Sequence, residues 1–376
     1  MPISGTDGLT ARHYSHFAFL PDPLPRAVAL SSAAWTQVAA AEGALGRLDQ
    51  AGQQFPEPSL LRRPALRREA QSTSALEGTF APFETVLASE PEDRRHLPAD
   101  LREVLNYVVA AEEGFAWVRD RPITVGLIER LQQTLVADTP SERWDAGRIR
   151  ERQVAIAPPD VAIEDSRFVP PPPGDQLRAG LDDWIRWARE PPPDLSTVAQ
   201  AALAHYQFEA LHPFADGNGR IGRLLIAMEL VQRRVLREPI FVVSPWFEAH
   251  REDYQDGLLM LSRTGNWSEW VRFFAAGVTA SADATRSRIE NLLAWREVTL
   301  ERVRGAGVSG VAERVAGELI GAPIVRAPQI ARIHGVTPQG AMLALRRLAA
   351  LEIVTERRIG GRVSFVAVEA LGLLAD

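Results

Sequence analysis

Residues 212–223 read His-Pro-Phe-Ala-Asp-Gly-Asn-Gly-Arg-Ile-Gly-Arg, which gathers several reactive group types into one short stretch. His212 is the one group here that can take up a proton near neutral pH. Asp216 is an oxygen ligand of the kind Mg²⁺ uses when it bridges phosphates. Arg220 and Arg223 stand three residues apart, and two guanidinium forks side by side suit a polyphosphate. A base, a metal ligand and a phosphate cradle together point to phosphoryl or nucleotidyl transfer.

The flanking segments must position these groups. Val198 to Leu211 is Ala-rich and helical in pattern, and Pro213 and Gly217 interrupt it. A second helix restarts at Arg220. A glycine-rich turn therefore empties into a helix N-terminus, where free N–H groups and the positive dipole end favour an anion. Other readings of the same residues compete. Gly217-x-Gly219-x-x-Gly222 matches a dinucleotide fingerprint, with Glu238 downstream, but a helix precedes it where that fold needs a strand. Asp216-x-Asn218 begins like a calcium loop, yet Ile221 and Ala227 occupy the positions that need Gly and Glu. His205, Glu209 and His212 have helical spacing and could hold a metal, although the helix is expected to end before His212. The plainest alternative is a connector between two helices.

Around this centre the pattern is mostly helical. An extended arm containing Pro21, Pro23 and Pro25 precedes a helix from Ala27 to Leu48. Further helices are predicted over Leu60–Leu76, Leu101–Val118, Val125–Leu135, Gln176–Arg189, Ser196–Leu211, Arg220–Val235 and His250–Arg263. A long aromatic-rich and then charged helix runs from Trp267 to Val303. Gln153-Val-Ala-Ile-Ala, between Gly147 and Pro158, predicts a small hairpin or edge strand. The composition changes near Gly305–Gly310. The tail from Val311 predicts helix, helix, turn, helix and then a hairpin around Gly360-Gly361.

The chain has 376 residues, enough for two or three domains. With 46% hydrophobic and 24% charged residues it is neither collagen-like, disordered nor a membrane bundle. There is no Cys, which excludes disulfides, thiol nucleophiles and thiolate metal sites. There is no Lys either, so all 42 basic residues are Arg and no Schiff-base or P-loop lysine exists. The net charge of −6 argues against nonspecific nucleic-acid binding by the whole chain. No targeting segment stands out at Met1-Pro-Ile-Ser-Gly, and the chain is expected in the cytoplasm.

The string His212-Pro-Phe-Ala-Asp-Gly-Asn-Gly-Arg-x-x-Arg223 resembles the Fic family signature at every defining position, and the likeness extends over roughly residues 10–280. The resemblance implies an all-α Fic core that transfers AMP from ATP to a target hydroxyl and releases pyrophosphate. By that likeness His212 is the base that deprotonates a Ser, Thr or Tyr. Phe214 anchors the loop, and Asp216 holds Mg²⁺. Gly217 and Gly219 let backbone N–H groups approach the α- and β-phosphates, Asn218 touches the α-phosphate, and Arg220 and Arg223 bind the β- and γ-phosphates. Gln153, Val154, Ala155 and Ile156 fall where relatives carry a target-docking flap, a small β-hairpin that can capture an extended segment through its main chain. Tyr254 falls near the adenine pocket, although relatives tend to have paired tyrosines where this chain has Asp253-Tyr254.

Thr73-Ser-Ala-Leu-Glu77-Gly78 resembles the inhibitory sequence of such proteins. A Glu77 carboxylate against Arg223 would take the seat of a γ-phosphate. At about 4 Å and an effective dielectric near 20, such a pair attracts by roughly 4 kcal/mol before desolvation.

The tail resembles a winged helix, with Pro328–Gly335 and Pro338–Leu348 as its helix-turn-helix and Thr337 and Pro338 as cap and first helical residue. Residues 301–376 carry ten Arg against seven acids, and Arg346, Arg347, Arg357, Arg358 and Arg362 could meet phosphates. The expected organisation is an N-terminal helical region with the inhibitory helix (1–100), a Fic core (101–280), a connecting helix (281–310) and an α+β winged-helix domain (311–376). The expected activity is an autoinhibited protein adenylyltransferase using ATP and Mg²⁺, and the alternative is a nucleotide-sensing DNA-binding transcriptional regulator. The partners on these readings are ATP and a hydroxyl-bearing protein, with DNA and a second copy of the chain as open alternatives and no membrane.

Overall fold

The computed structural model describes residues 1–6, 13–54, 57–90, 96–157 and 161–375. At the N-terminus, β1 (Pro2–Thr6) and β2 (His13–Phe17) form an antiparallel hairpin with Ser4 opposite Ser15. Sequence reading expected only an extended arm here; alternating polar residues give this pair no apolar face to betray it.

Two long helices pack along one another. α1 (Ser32–Gln53) starts where the Ser31 side chain accepts from the Ala34 N–H. It buries Val38, Ala41, Leu45 and Leu48 along α11 (Trp267–Gly305), a 39-residue helix. After α1 the chain continues through α2 (Ser59–Leu76), α3 (Phe83–Ala88), α4 (Ala99–Val118), α5 (Val125–Val136) and α6 (Asp175–Arg189). At the centre stand α7 (Thr197–Leu211) and α8 (Asn218–Gln232). From Val198 to Leu211 every residue of α7 is buried, which is how a helix at the middle of a core behaves. α9 (Ser244–Ala249) and α10 (Arg251–Thr264) close the far side. Neither α3 nor α9 was expected; at six residues each, neither shows a helical period.

Gln153 to Ala157 was expected as a hairpin or edge strand, and the structure corrects this. Gln153, Val154 and Ala155 join no ladder, and a single antiparallel bridge pairs Ile156 with Phe168. The returning arm runs into Pro170–Pro173, which have no N–H to donate. Pro158 lies outside the described residues.

After α11 come α12 (Val311–Glu318), β3 (Ile324–Val325), α13 (Ala327–His334), α14 (Pro338–Ala350), β4 (Thr355–Ile359), β5 (Arg362–Val366) and α15 (Val368–Ala375). The three strands form one antiparallel sheet in the order β3-β5-β4. Thr337 caps α14 by accepting from the Gly340 N–H. A second apolar core gathers here, and Leu300 and Val303 of α11 belong to it. Leu374 of α15 packs back onto the first core, against Leu61, Pro64 and Ile289. Among the described residues no helix is long and apolar enough to cross a membrane.

Candidate active site

α7 ends at His212, whose backbone is left-handed (φ 48°, ψ 61°) and whose N–H still donates to the Phe208 carbonyl at 3.0 Å. A non-glycine residue in this region is held there by its surroundings. The His212 carbonyl accepts from Arg150 Nε at 2.8 Å, and its Nδ1 lies 3.3 Å from the Glu209 carbonyl. A proton on Nδ1 satisfies that carbonyl and leaves the Nε2 lone pair available. Burial first, and the nearby Arg150 charge second, push the imidazole pKa down to about 4, so the ring is neutral at pH 7.

The turn that follows is held from inside. Phe214 is fully buried. Its N–H donates to Asn218 Oδ1 at 2.8 Å, and Asn218 Nδ2 donates to its carbonyl at 2.9 Å. Both ends of the Asn218 amide are thus engaged within the loop. An anion at Asn218 would therefore meet its backbone N–H, at the first helical position, and not the side chain. Gly217 has φ 85°, and a Cβ there would also press on Leu135. Gln132 braces the turn from α5, donating to the Asp216 carbonyl at 3.1 Å and accepting the Gly147 N–H at 2.6 Å.

At the mouth of α8 the charges are paired. Arg220 and Arg223 are each 2% exposed. Arg220 meets Glu103 and lies 3.3 Å from Asp216 Oδ2. Asp216 also accepts the Gly217 N–H at 2.7 Å. Burial alone would raise the Asp216 pKa, but Arg220 and these hydrogen bonds outweigh it and hold the carboxyl below the usual range.

Arg223 is gripped by α2. Its Nε donates to Thr73 Oγ1 at 2.7 Å, and one terminal nitrogen donates to the Thr73 carbonyl at 3.1 Å and to Glu77 Oε1 at 2.6 Å. Arg223 and Arg220 overcome the effect of burial on Glu77 and keep it ionised. The Glu77 carboxylate rests where a Cβ on Gly219 would be, over the first turn of α8. Gly78 ends the segment at φ 92°. Two turns earlier on the same helix, Glu69 is buried and accepts from the Val243 N–H (2.9 Å), the Ser244 N–H (3.0 Å) and the Ser244 hydroxyl. This fixes α2 against α9.

A cavity of about 720 Å³ opens beside these groups, lined by Glu77, Ile156, Arg167, Tyr206, Glu209 and Gln255 among others. Ile156 is the one residue of the expected flap that reaches its wall. Tyr254 does not line it: its hydroxyl is 2.8 Å from His205 Nε2 and its ring packs 4.6 Å from that of Phe247. A tyrosine with a buried partner for its hydroxyl sits inside the wall, and the neighbouring Gln255 faces the space. His205 Nε2 is taken up by Tyr254, and no group of three or more His, Asp or Glu able to hold a metal occurs among the described residues.

The structure thus brings His212, Asp216, Arg220, Arg223, Thr73 and Glu77 together. Sequence reasoning missed Arg150, Gln132, Glu103 and Glu69. A signal existed only for Glu69, which shares the four-residue spacing of Thr73 and Glu77 and so one helix face.

Comparison with known proteins agrees with this geometry. The Fic/DOC family N-terminal profile matches residues 35–116, and the Fic/DOC family profile matches residues 122–230. The chain is 33% identical over 143 residues to a protein named Protein adenylyltransferase Fic from Nematostella vectensis, covering 37% of this chain and 29% of that protein. It is 38% identical over 133 residues to the protein of the same name from Drosophila willistoni, covering 35% and 23%. These matches thus span less than a third of either relative. A Fic family protein from Desulfovibrio desulfuricans G20 has the same fold, with a TM-score of 0.58 at 18% identity over 92% of this chain and 98% of that one. A Fic domain containing signaling protein from Bacteroides thetaiotaomicron gives 0.50 at 17% identity, over 69% and 97%. Two adjoining profiles and a loop whose buried bonds keep its left-handed histidine beside a helix mouth lead to one conclusion: the chain belongs to the Fic/DOC family.

Proposed function

We propose that the chain is an autoinhibited protein adenylyltransferase. The observation that carries this reading is the neutral His212 imidazole at the end of the helix whose Glu209 and Ala210 line a roomy cavity, with Glu77, on the wall of that cavity, set over the first turn of α8. ATP lies with its phosphates over α8, and the N–H groups of Asn218 and Gly219 meet the α- and β-phosphates. Arg220 and Arg223 bind the β- and γ-phosphates. His212 Nε2 takes the proton of a Ser, Thr or Tyr hydroxyl as its oxygen bonds to the α-phosphorus. The bond from that phosphorus to the bridging oxygen breaks, and pyrophosphate leaves.

Mg²⁺ fits the donor set. Asp216 offers one ionised carboxylate that is 41% exposed, and the remaining ligands would come from phosphate and water. The bound ion would neutralise phosphate charge. Glu77 holds the enzyme back, because its carboxylate occupies both the Arg223 fork and the space over Gly219 that a γ-phosphate needs. The segment from Gln153 to Ile156 docks the target, using the main chain of Gln153 to Ala155 that joins no ladder. The test is self-labelling with ATP labelled at the α-phosphate: it should rise in Glu77→Gly and vanish in Glu77→Gly/His212→Ala. Equal labelling with and without His212 would reject the reading.

The unit from Val311 onward reads as a winged helix, from its helix order and three-stranded sheet. Arg346, Arg347, Arg357 and Arg358 are exposed and make no ion pair among the described residues. Those solvated cations favour a second reading, a nucleotide-sensing DNA-binding regulator. A gel shift with duplex DNA in the absence of AMP transfer would select it.

A further inference from the structure

Arg150 is 1% exposed, and among the described residues no carboxylate pairs with it. A buried cation without a counter-ion is costly unless every donor is satisfied. Here the whole guanidinium is turned onto main-chain carbonyls. Nε donates to His212 O at 2.8 Å and Nη1 to Arg152 O at 3.1 Å. Nη2 donates to Pro171 O at 2.5 Å and lies 3.5 Å from Leu211 O. The Arg150 backbone N–H adds a bond to the Pro213 carbonyl at 3.0 Å.

These carbonyls belong to three separate pieces of chain. Leu211 and His212 form the C-terminal end of α7, where a cation is welcome. Arg152 precedes the segment that leads to the Ile156–Phe168 bridge, and Pro171 follows it. The loop between is cinched at the same level by Gln153 Nε2, which donates to Pro170 O at 3.0 Å. One side chain therefore holds the left-handed backbone of His212 and both roots of the segment between Arg152 and Pro171. A cap for α7 alone would need only the first of these.

We infer that Arg150 is a positioning residue: its fork makes His212 and the roots of the 153–170 loop one rigid unit, so that a hydroxyl docked on the loop meets the imidazole at a fixed distance. This rests on the adenylyltransferase reading for what the distance is used for. The nucleotide contacts belong to α8 and do not pass through Arg150, so the residue governs transfer and not ATP affinity. Lysine keeps the charge but cannot reach three carbonyls in a plane.

The test uses the full chain carrying Glu77→Gly as parent, with Arg150→Lys and Arg150→Gln added. Three quantities are read: ATP affinity by calorimetry, the rate of self-labelling, and amide hydrogen exchange over residues 153–170 and at His212. The expected result is ATP affinity within about threefold of the parent, labelling slower by about 10²-fold, and faster exchange at both places, in Arg150→Lys as well as Arg150→Gln. Full rescue of rate by Lys would overturn the inference, because charge alone would then suffice. Affinity that falls by the same factor as rate would overturn it too, since Arg150 would then support the site as a whole. Unchanged exchange would remove the brace. Should the parent itself transfer no AMP, the enzyme reading fails on its own, and the exchange measurement still decides whether Arg150 couples loop and histidine.

Discussion

The mouth of α8 and the outer face of α14 and β4 both carry arginines, and they treat them oppositely. Arg220 and Arg223 are 2% exposed, and each holds at least one carboxylate. Arg346, Arg347, Arg357 and Arg358 are exposed to solvent and pair with no carboxylate among the described residues. An exposed cation is solvated and costs the fold nothing; a buried one needs a carboxylate or a carbonyl for its donors at all times. At α8 the neutralising groups are Glu77, Glu103 and Asp216, which an incoming polyphosphate would have to replace or share. The difference teaches where an anion has a prepared seat and where it would meet only a diffuse field.

The sharpest way to break this contrast is at the base. With Glu77→Gly as parent, His212→Ala should lower self-labelling by about 10²–10⁴-fold, measured as incorporated AMP per minute. Next is the plug. Removing a charged hydrogen bond of about 1.5–3 kcal/mol from Arg223 should tighten ATP binding by about 10- to 100-fold in Glu77→Gly, read by calorimetry.

Smaller effects come from protons. Burial raises the Glu209 carboxyl pKa to about 8 and that of Glu229 to about 7, against an unfolded value of 4.5. Both groups hold in the folded state a proton that the unfolded chain releases. Their contribution is complete below pH 4.5 and is lost as the pH rises through 8. Burial lowers His205 to about 3 and His212 to about 4, from 6.5, so their contribution fails in the other direction, as the pH falls from 6.5 through 4. Melting temperature should therefore peak between these limits. Glu209→Gln should flatten the alkaline side by a few °C in a pH series of thermal melts. Smallest of all, Arg346→Ala with Arg347→Ala should change folding stability by less than about 0.5 kcal/mol in urea titration, as befits solvated charges.

The groups of the loop were legible because chemistry demands particular residue types close together in sequence, and nearly all the long helices were legible from their apolar period. What escaped was of another kind. Arg150 and Gln132 act by reaching the backbone of a distant loop, and nothing in their own neighbourhood marks that reach. Which part of Asn218 faces an anion was hidden too, because folding uses both ends of its amide. Tyr254 followed the same logic, since a buried partner at His205 claims its hydroxyl. The flap failed as a strand for want of a donor on the opposite arm, a property of Pro170–Pro173 and not of Gln153–Ile156.

The length of α11 has a practical outcome for anyone trimming the chain. At about 1.5 Å per residue its 39 residues make a rod of nearly 60 Å. Trp270 to Leu292 lie in one core and Leu300 and Val303 in the other, with Trp295 touching both. A fragment cut at the glycines after residue 305 would expose leucine and valine that its missing half should cover. Expression of the Fic part in isolation should therefore yield sticky material when cut at the change in composition, and less sticky material when the rod is shortened to just past Leu292.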